Sequence, residues 1–142
     1  ANAVRDVISL PDPVGVVVRG TDMPNGIHLS QVRVPFGVIG AIYEARPNVT
    51  VDIAALCIKS GNASVLRGGS AAENTNTVTV GLIQSALQSV GIPAEAVQSI
   101  DELGREGATQ LMAARGYVDV LIPRGSGVSI EDVGKLGHQQ ML

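Results

Sequence analysis

Three loops in this chain carry residue types that handle phosphate and carbonyl chemistry. The first is Tyr43-Glu44-Ala45-Arg46-Pro47-Asn48-Val49-Thr50, an elbow between a continuously apolar run and an apolar helical segment. Asn48 can donate its side-chain amide to an oxygen that gains negative charge during a reaction. Asn is also a good N-cap for the helix that starts there, and the two roles need different rotamers. Arg46 can pair with a substrate carboxylate or phosphate, or with its neighbour Glu44. The second loop, Arg67-Gly68-Gly69-Ser70, sets a cation and backbone amides at a helix N-terminus. Unpaired amides and the helix dipole both favour an anion at such a place, and Arg67 can fork onto phosphate or ribose hydroxyls. The loop is neither a Gly-x-Gly-x-x-Gly fingerprint nor a Walker loop, so a plain glycine turn with a solvent-facing Arg67 stays open. The third loop, Pro123-Arg124-Gly125-Ser126-Gly127, repeats the pattern, with Arg124 as a ligand contact or a surface charge.

Other chemistries find little support. The one cysteine, Cys57, lies in the apolar run Ile53-Ala54-Ala55-Leu56-Cys57-Ile58. A buried thiol there behaves as a small hydrophobe, whereas a reactive one needs an exposed, electropositive site. One cysteine allows no internal disulfide, which fits a reducing, cytoplasmic setting. His28 and His138 have no evident partners, and no metal is expected. Aromatics are 2% of the chain and the net charge is -3, which argues against stacking or backbone binding of nucleic acid. No apolar run approaches the roughly 20 residues needed to cross a bilayer. The start, Ala1-Asn2-Ala3-Val4, has neither an initiator Met nor a leader, and is read as cut from something longer.

The loops need elements to hold them. At 142 residues, 45% of them hydrophobic, the chain suffices for one α/β domain with a real core. Residues 1–13 read as the end of a helical segment, stopped by Pro11-Asp12-Pro13. Residues 14–34 read as an antiparallel β-hairpin arm turning at Pro24-Asn25-Gly26, since Asn-Gly is the strongest short hairpin signal. Residues 35–127 read as a nucleotide-binding α/β domain. Its strands are 37–43, 63–66, 96–100 and 117–122, alternating with helices at 49–59, 71–90 and 104–115. Continuously apolar strands are covered on both faces, and such alternation gives a doubly wound, Rossmann-like parallel sheet. Ligands of these sheets bind at the carboxyl ends of the strands, where all three loops fall. A short helix is expected after the third loop, within a tail at 128–142.

The order of motifs carries a resemblance. Arg33-Val34-Pro35-Phe36-Gly37-Val38-Ile39-Gly40 through the Tyr43 elbow to Asp52 resembles the gamma-glutamyl phosphate reductase family, also called glutamate-5-semialdehyde dehydrogenases. So do Leu56-Cys57-Ile58-Lys59-Ser60-Gly61-Asn62-Ala63, Leu66-Arg67-Gly68-Gly69-Ser70, and Gly116-Tyr117-Val118-Asp119-Val120-Leu121-Ile122-Pro123-Arg124-Gly125. The match runs over roughly residues 4–127, and the tail at 128–142 departs from it.

The resemblance implies an aldehyde dehydrogenase-type fold. It also implies NADPH-dependent reduction of gamma-glutamyl phosphate to glutamate 5-semialdehyde and phosphate in proline biosynthesis. Asn48 would take the oxyanion role of the superfamily's Pro-Trp-Asn motif. Arg67, with Gly68, Gly69 and Ser70, would stand at the adenosine ribose, where the superfamily has a Lys. Arg124, Gly125 and Ser126 would hold the pyrophosphate, and Arg46 the substrate. The family's nucleophilic cysteine belongs to a separate catalytic domain and is not Cys57, so the chain by itself is expected to be inactive. A non-catalytic nucleotide-binding module or an inactive truncated product is the alternative. In the superfamily an arm like 14–34 joins subunits, which implies a homo-oligomer. The choice between NADP and NAD stays open.

Overall fold

The computed structural model describes residues 2–44, 46–124 and 140–141. A short helix, α1 (Asn2–Ser9), is followed by two strands, β1 (Val17–Asp22) and β2 (His28–Val32), which pair antiparallel. Their loop is Pro24-Asn25-Gly26. Gly26 N–H donates to the Met23 carbonyl, Met23 N–H donates to that of Ile27, and Asn25 Oδ1 accepts from Ile27 N–H. Gly26 closes the turn at φ +83°, a left-handed conformation that glycine adopts without a Cβ penalty. Every residue of both strands is exposed.

The chain then enters the parallel sheet. β3 (Val38–Ile42) leads into α2 (Pro47–Lys59), β4 (Ala63–Arg67), α3 (Glu73–Ser89), β5 (Val97–Ser99), α4 (Gly104–Ala113), β6 (Val120–Pro123) and β7 (Gln140–Met141). The strand order is β5-β4-β3-β6-β7, all parallel. Alternate residues of β3 face opposite layers. Ala41 packs with Leu66, Val97 and the α2 and α3 residues Ala54, Val80 and Leu87. Ile42 packs with Leu121 and the α4 residues Ala108, Leu111 and Met112. Helices thus cover both faces of a doubly wound sheet, and that is why its strands read as unbroken apolar runs. From β3 the chain proceeds outward to β4 and β5, then returns past β3 to β6. The reversal lies between β3 and β6, where such folds open a crevice at the carboxyl edge.

The hairpin is rooted at the other edge. A methyl group on Gly61, just before β4, would lie 2.9 Å from Pro35 Cγ and 3.5 Å from Val14 Cγ2. Several element boundaries differ from the sequence expectation, α3 for instance spanning Glu73–Ser89 rather than 71–90. α2 begins at Pro47 rather than 49, because proline's fixed φ and missing N–H suit the first helical position. α4 ends at Ala113 rather than 115. Strand β6 starts at Val120 rather than 117, since Gly116 (φ +79°) and Tyr117 form a turn held by bonds from Tyr117 and Val118 N–H to the Ala114 carbonyl. The tail helix expected after Gly127 lies outside the described residues.

Candidate functional site

The carboxyl ends of β4, β3 and β6 lie side by side, and each carries an arginine. Arg67 is the last residue of β4, Arg124 directly follows β6, and Arg46 stands in the elbow after β3. Backbone bonds lace these ends together: Tyr43 N–H donates to the Arg67 carbonyl at 2.9 Å, and Arg124 N–H to the Ile42 carbonyl at 2.7 Å. Three arginines thus stand at one edge of a chain whose net charge is -3, together with the carboxylates of Glu44 and Asp101.

In the elbow, Arg46 is the N-cap of α2, extended at φ -128° and ψ 96° as a residue before proline must be, and it makes no side-chain cap bond. Asn48 is therefore the second residue of the helix and not its cap. Its side chain is exposed and forms no hydrogen bond among the described residues, which leaves the amide able to donate outward. Thr50, two residues on, is fully buried inside α2 and bonded to Tyr43 Oη and Asn76 Oδ1.

In the second loop, Arg67 is half-buried and not solvent-facing. Its Nε donates to the Gly104 carbonyl at 3.2 Å, which turns the guanidinium toward the start of α4. Gly68 corrects the expectation of freely exposed amides. It is buried, and its N–H donates to Asp101 Oδ1 at 2.6 Å. A Cβ at Gly68 would collide with Asn76 Nδ2. The glycine is thus needed for close approach of protein to protein, and its donor is taken. Gly69 is half-buried and Ser70 exposed at the head of a 3-10 turn (Ser70–Ala72) that leads into α3, so these two are the part of the loop open to a ligand. Gly125 and Ser126, expected to hold pyrophosphate, lie outside the described residues.

Beneath the loops runs a buried polar chain that sequence reasoning missed. Tyr43 Oη meets Thr50 Oγ1 at 2.8 Å, Thr50 Oγ1 donates to Asn76 Oδ1 at 2.8 Å, and Asn76 Nδ2 donates to Asp101 Oδ2 at 2.7 Å. Burial raises the Tyr43 phenol above its ordinary value, the Thr50 bond opposes this, and the nearby Asp101 adds to it. One signal was available: Asp101 stands at the carboxyl end of a parallel strand, where polar residues gather. Nothing local marks Asn76, one of several polar residues at the start of α3.

Cys57 is 4% exposed in α2, and burial pushes its thiol up to about 11. That burial agrees with its reading as a small hydrophobe. His28 pairs with Asp22 at 2.6 Å on the exposed hairpin. Among the described residues no cluster could hold a metal ion, and no helix is long and apolar enough to cross a membrane. His138 lies outside the described residues.

No protein-family model matches the chain. Over 133 residues, 94% of its length, it is 66% identical to gamma-glutamyl phosphate reductase of Leifsonia xyli, and it covers 32% of that protein. The crystal structure of gamma-glutamyl phosphate reductase from Thermotoga maritima superposes with a TM-score of 0.92 at 40% identity, over 99% of this chain and 34% of that one. A more distant match is an engineered glycolyl-CoA reductase with bound NADP+, with a TM-score of 0.72 at 26% identity, covering 87% of this chain and 28% of the other. The chain spans about a third of the length of the curated relatives it matches. By sequence and by fold, this chain belongs to the gamma-glutamyl phosphate reductase family of the aldehyde dehydrogenase superfamily.

Proposed function

We propose that the chain forms the nicotinamide-nucleotide side of a gamma-glutamyl phosphate reductase. The parent protein would reduce L-glutamyl 5-phosphate to L-glutamate 5-semialdehyde and phosphate, a cytoplasmic step of proline biosynthesis, with NADPH as hydride donor. The observation that carries this reading is that Arg67 ends β4, Arg124 follows β6 and Arg46 stands in the elbow after β3, all at the edge where the strand order reverses. An anion-rich dinucleotide fits such an edge better than a neutral ligand does.

The residues present fit the nucleotide. Arg67, tethered through Nε, keeps its outer guanidinium nitrogens for the adenosine ribose and for the extra phosphate that separates NADP from NAD. Gly69 and Ser70 offer backbone donors beside it, while Gly68 shapes the loop without contacting the ligand. Arg124, with Gly125 and Ser126, would take the pyrophosphate. On the substrate side, Asn48 would donate to the oxygen that gains charge when the acyl carbon is attacked, and Arg46 would pair with the phosphate or carboxylate. The cofactor supplies the hydride. The attacking thiol is not Cys57, because a thiol held near 11 inside α2 is protonated and out of reach. That same observation favours the second reading, a nucleotide-binding module without catalysis of its own.

The hairpin would join a second copy of the chain, since Val17, Val18, Leu29 and Val34 on or beside its strands are left exposed. Titration of the chain with NADPH and with NADH, followed by fluorescence, tests the nucleotide reading. Arg67→Ala removes charge-assisted hydrogen bonds worth about 1.5–3 kcal/mol and should weaken NADPH by roughly tenfold or more. Equal binding by both proteins would take Arg67 out of the site.

A further inference from the structure

We infer that Asp101 is a positioning residue for the nucleotide loop, and that it ends a one-way chain of hydrogen bonds starting at Tyr43. The inference rests on the reading of residues 67–70 as the nucleotide loop. The direction of the chain follows from counting donors. A carboxylate only accepts, and Asp101, 4% exposed, accepts Gly68 N–H on Oδ1 at 2.6 Å and Asn76 Nδ2 on Oδ2 at 2.7 Å. The Asn76 amide is thereby oriented, with Oδ1 toward Thr50. The single hydroxyl proton of Thr50 goes to that oxygen at 2.8 Å. Tyr43 must then be the donor in its 2.8 Å contact with Thr50. The four side chains are at most 4% exposed, so a reversed or broken member would leave a buried polar atom unpaired.

The chain ends on the turn that grips the loop. Ile100 N–H donates to the Leu66 carbonyl, Gly68 N–H to Asp101, and Arg67 Nε to the Gly104 carbonyl. Residues 66, 67 and 68 are thus each held by the segment 100–104. At its other end the chain reaches Tyr43, whose own N–H donates to the Arg67 carbonyl and which leads into the elbow of Arg46 and Asn48. One hydrogen-bond path therefore fixes the loop on the nucleotide side against the elbow on the substrate side. An amide at position 101 could not replace the carboxylate, because it has one acceptor oxygen for two donors.

A swap of the two groups tests this. Asn76→Asp alone sets a second carboxylate against Asp101, and should weaken NADPH binding by about tenfold, the worth of one charge-assisted hydrogen bond. Adding Asp101→Asn restores the pattern: the new amide accepts from Gly68 and donates to the carboxylate now on α3, which still accepts from Thr50. The double variant should bind NADPH within about twofold of the unaltered chain. Gly68 N–H supplies a second readout that needs no nucleotide. Its proton resonance should lie downfield and exchange slowly in the unaltered chain, shift in the single variant, and regain protection in the double. Should Asn76→Asp fail to fold, recovery of the fold in the double variant supports the proposal in the same way. Normal binding and an unmoved Gly68 signal in Asn76→Asp would overturn it, as would a double variant no better than the single one. If the unaltered chain binds no NADPH, the functional reading falls, while the Gly68 signals still decide the relay.

Discussion

At the scale of single residues, burial decides what each polar group can do. Cys57 was legible as structural because it sits in an apolar helical run, and its burial in α2 agrees. Its pKa, raised from 9.0 to about 11, has a consequence for stability. The unfolded thiol ionises first, so the stabilisation is fully present below pH 9 and is lost as pH rises through 11. The shift is worth roughly 3 kcal/mol at about 1.36 kcal/mol per unit. Urea unfolding at pH 8 and at pH 11 should therefore show a larger alkaline loss in the unaltered chain than in Cys57→Ala. An equal loss in both would mean that the thiol is not its source. Gly68 was read as a phosphate-loop glycine, yet the structure packs it against Asn76 and Asp101. Its φ is not left-handed, so the cost of a side chain there is overlap alone. Gly68→Ala should destabilise by about 2–3 kcal/mol in denaturant titration, and a change within ~0.5 kcal/mol would show that the contact relaxes freely.

At the scale of elements, local signals served well where the chain decides locally. Asn25-Gly26 marked the hairpin turn, and Gly26 closes it at φ +83°. The start of α2 was missed by two residues, and that small error mattered, because it moved Asn48 from cap to first turn and left its amide outward. The hairpin itself has no packed face among the described residues, and isolated two-stranded ribbons are marginal in water. Hydrogen exchange should therefore label Val17–Asp22 and His28–Val32 quickly in dilute protein, well before Val38–Ile42 and Ala63–Arg67. Protection of the hairpin that grows with protein concentration would support its role in joining two copies. Protection equal to that of the central strands at every dilution would contradict an unpaired arm.

At the scale of the whole molecule, the sheet turns scattered residues into one edge. The sequence by itself determined the alternation of strands and helices, hence a parallel sheet with helices on both faces. It also placed Arg46, Arg67 and Arg124 just past strands, and so at the carboxyl edge. These are properties of periodicity and turn chemistry, which act over a few residues. The order β5-β4-β3-β6-β7, with its reversal beside β3, came only with the fold. So did the capture of Gly68 by a carboxylate 33 residues away and the pairing of Asn76 with Asp101 across 25. No short-range pattern encodes such bonds. They form because closing the core removes water from Tyr43, Thr50, Asn76 and Asp101 together, and groups denied water must then satisfy one another.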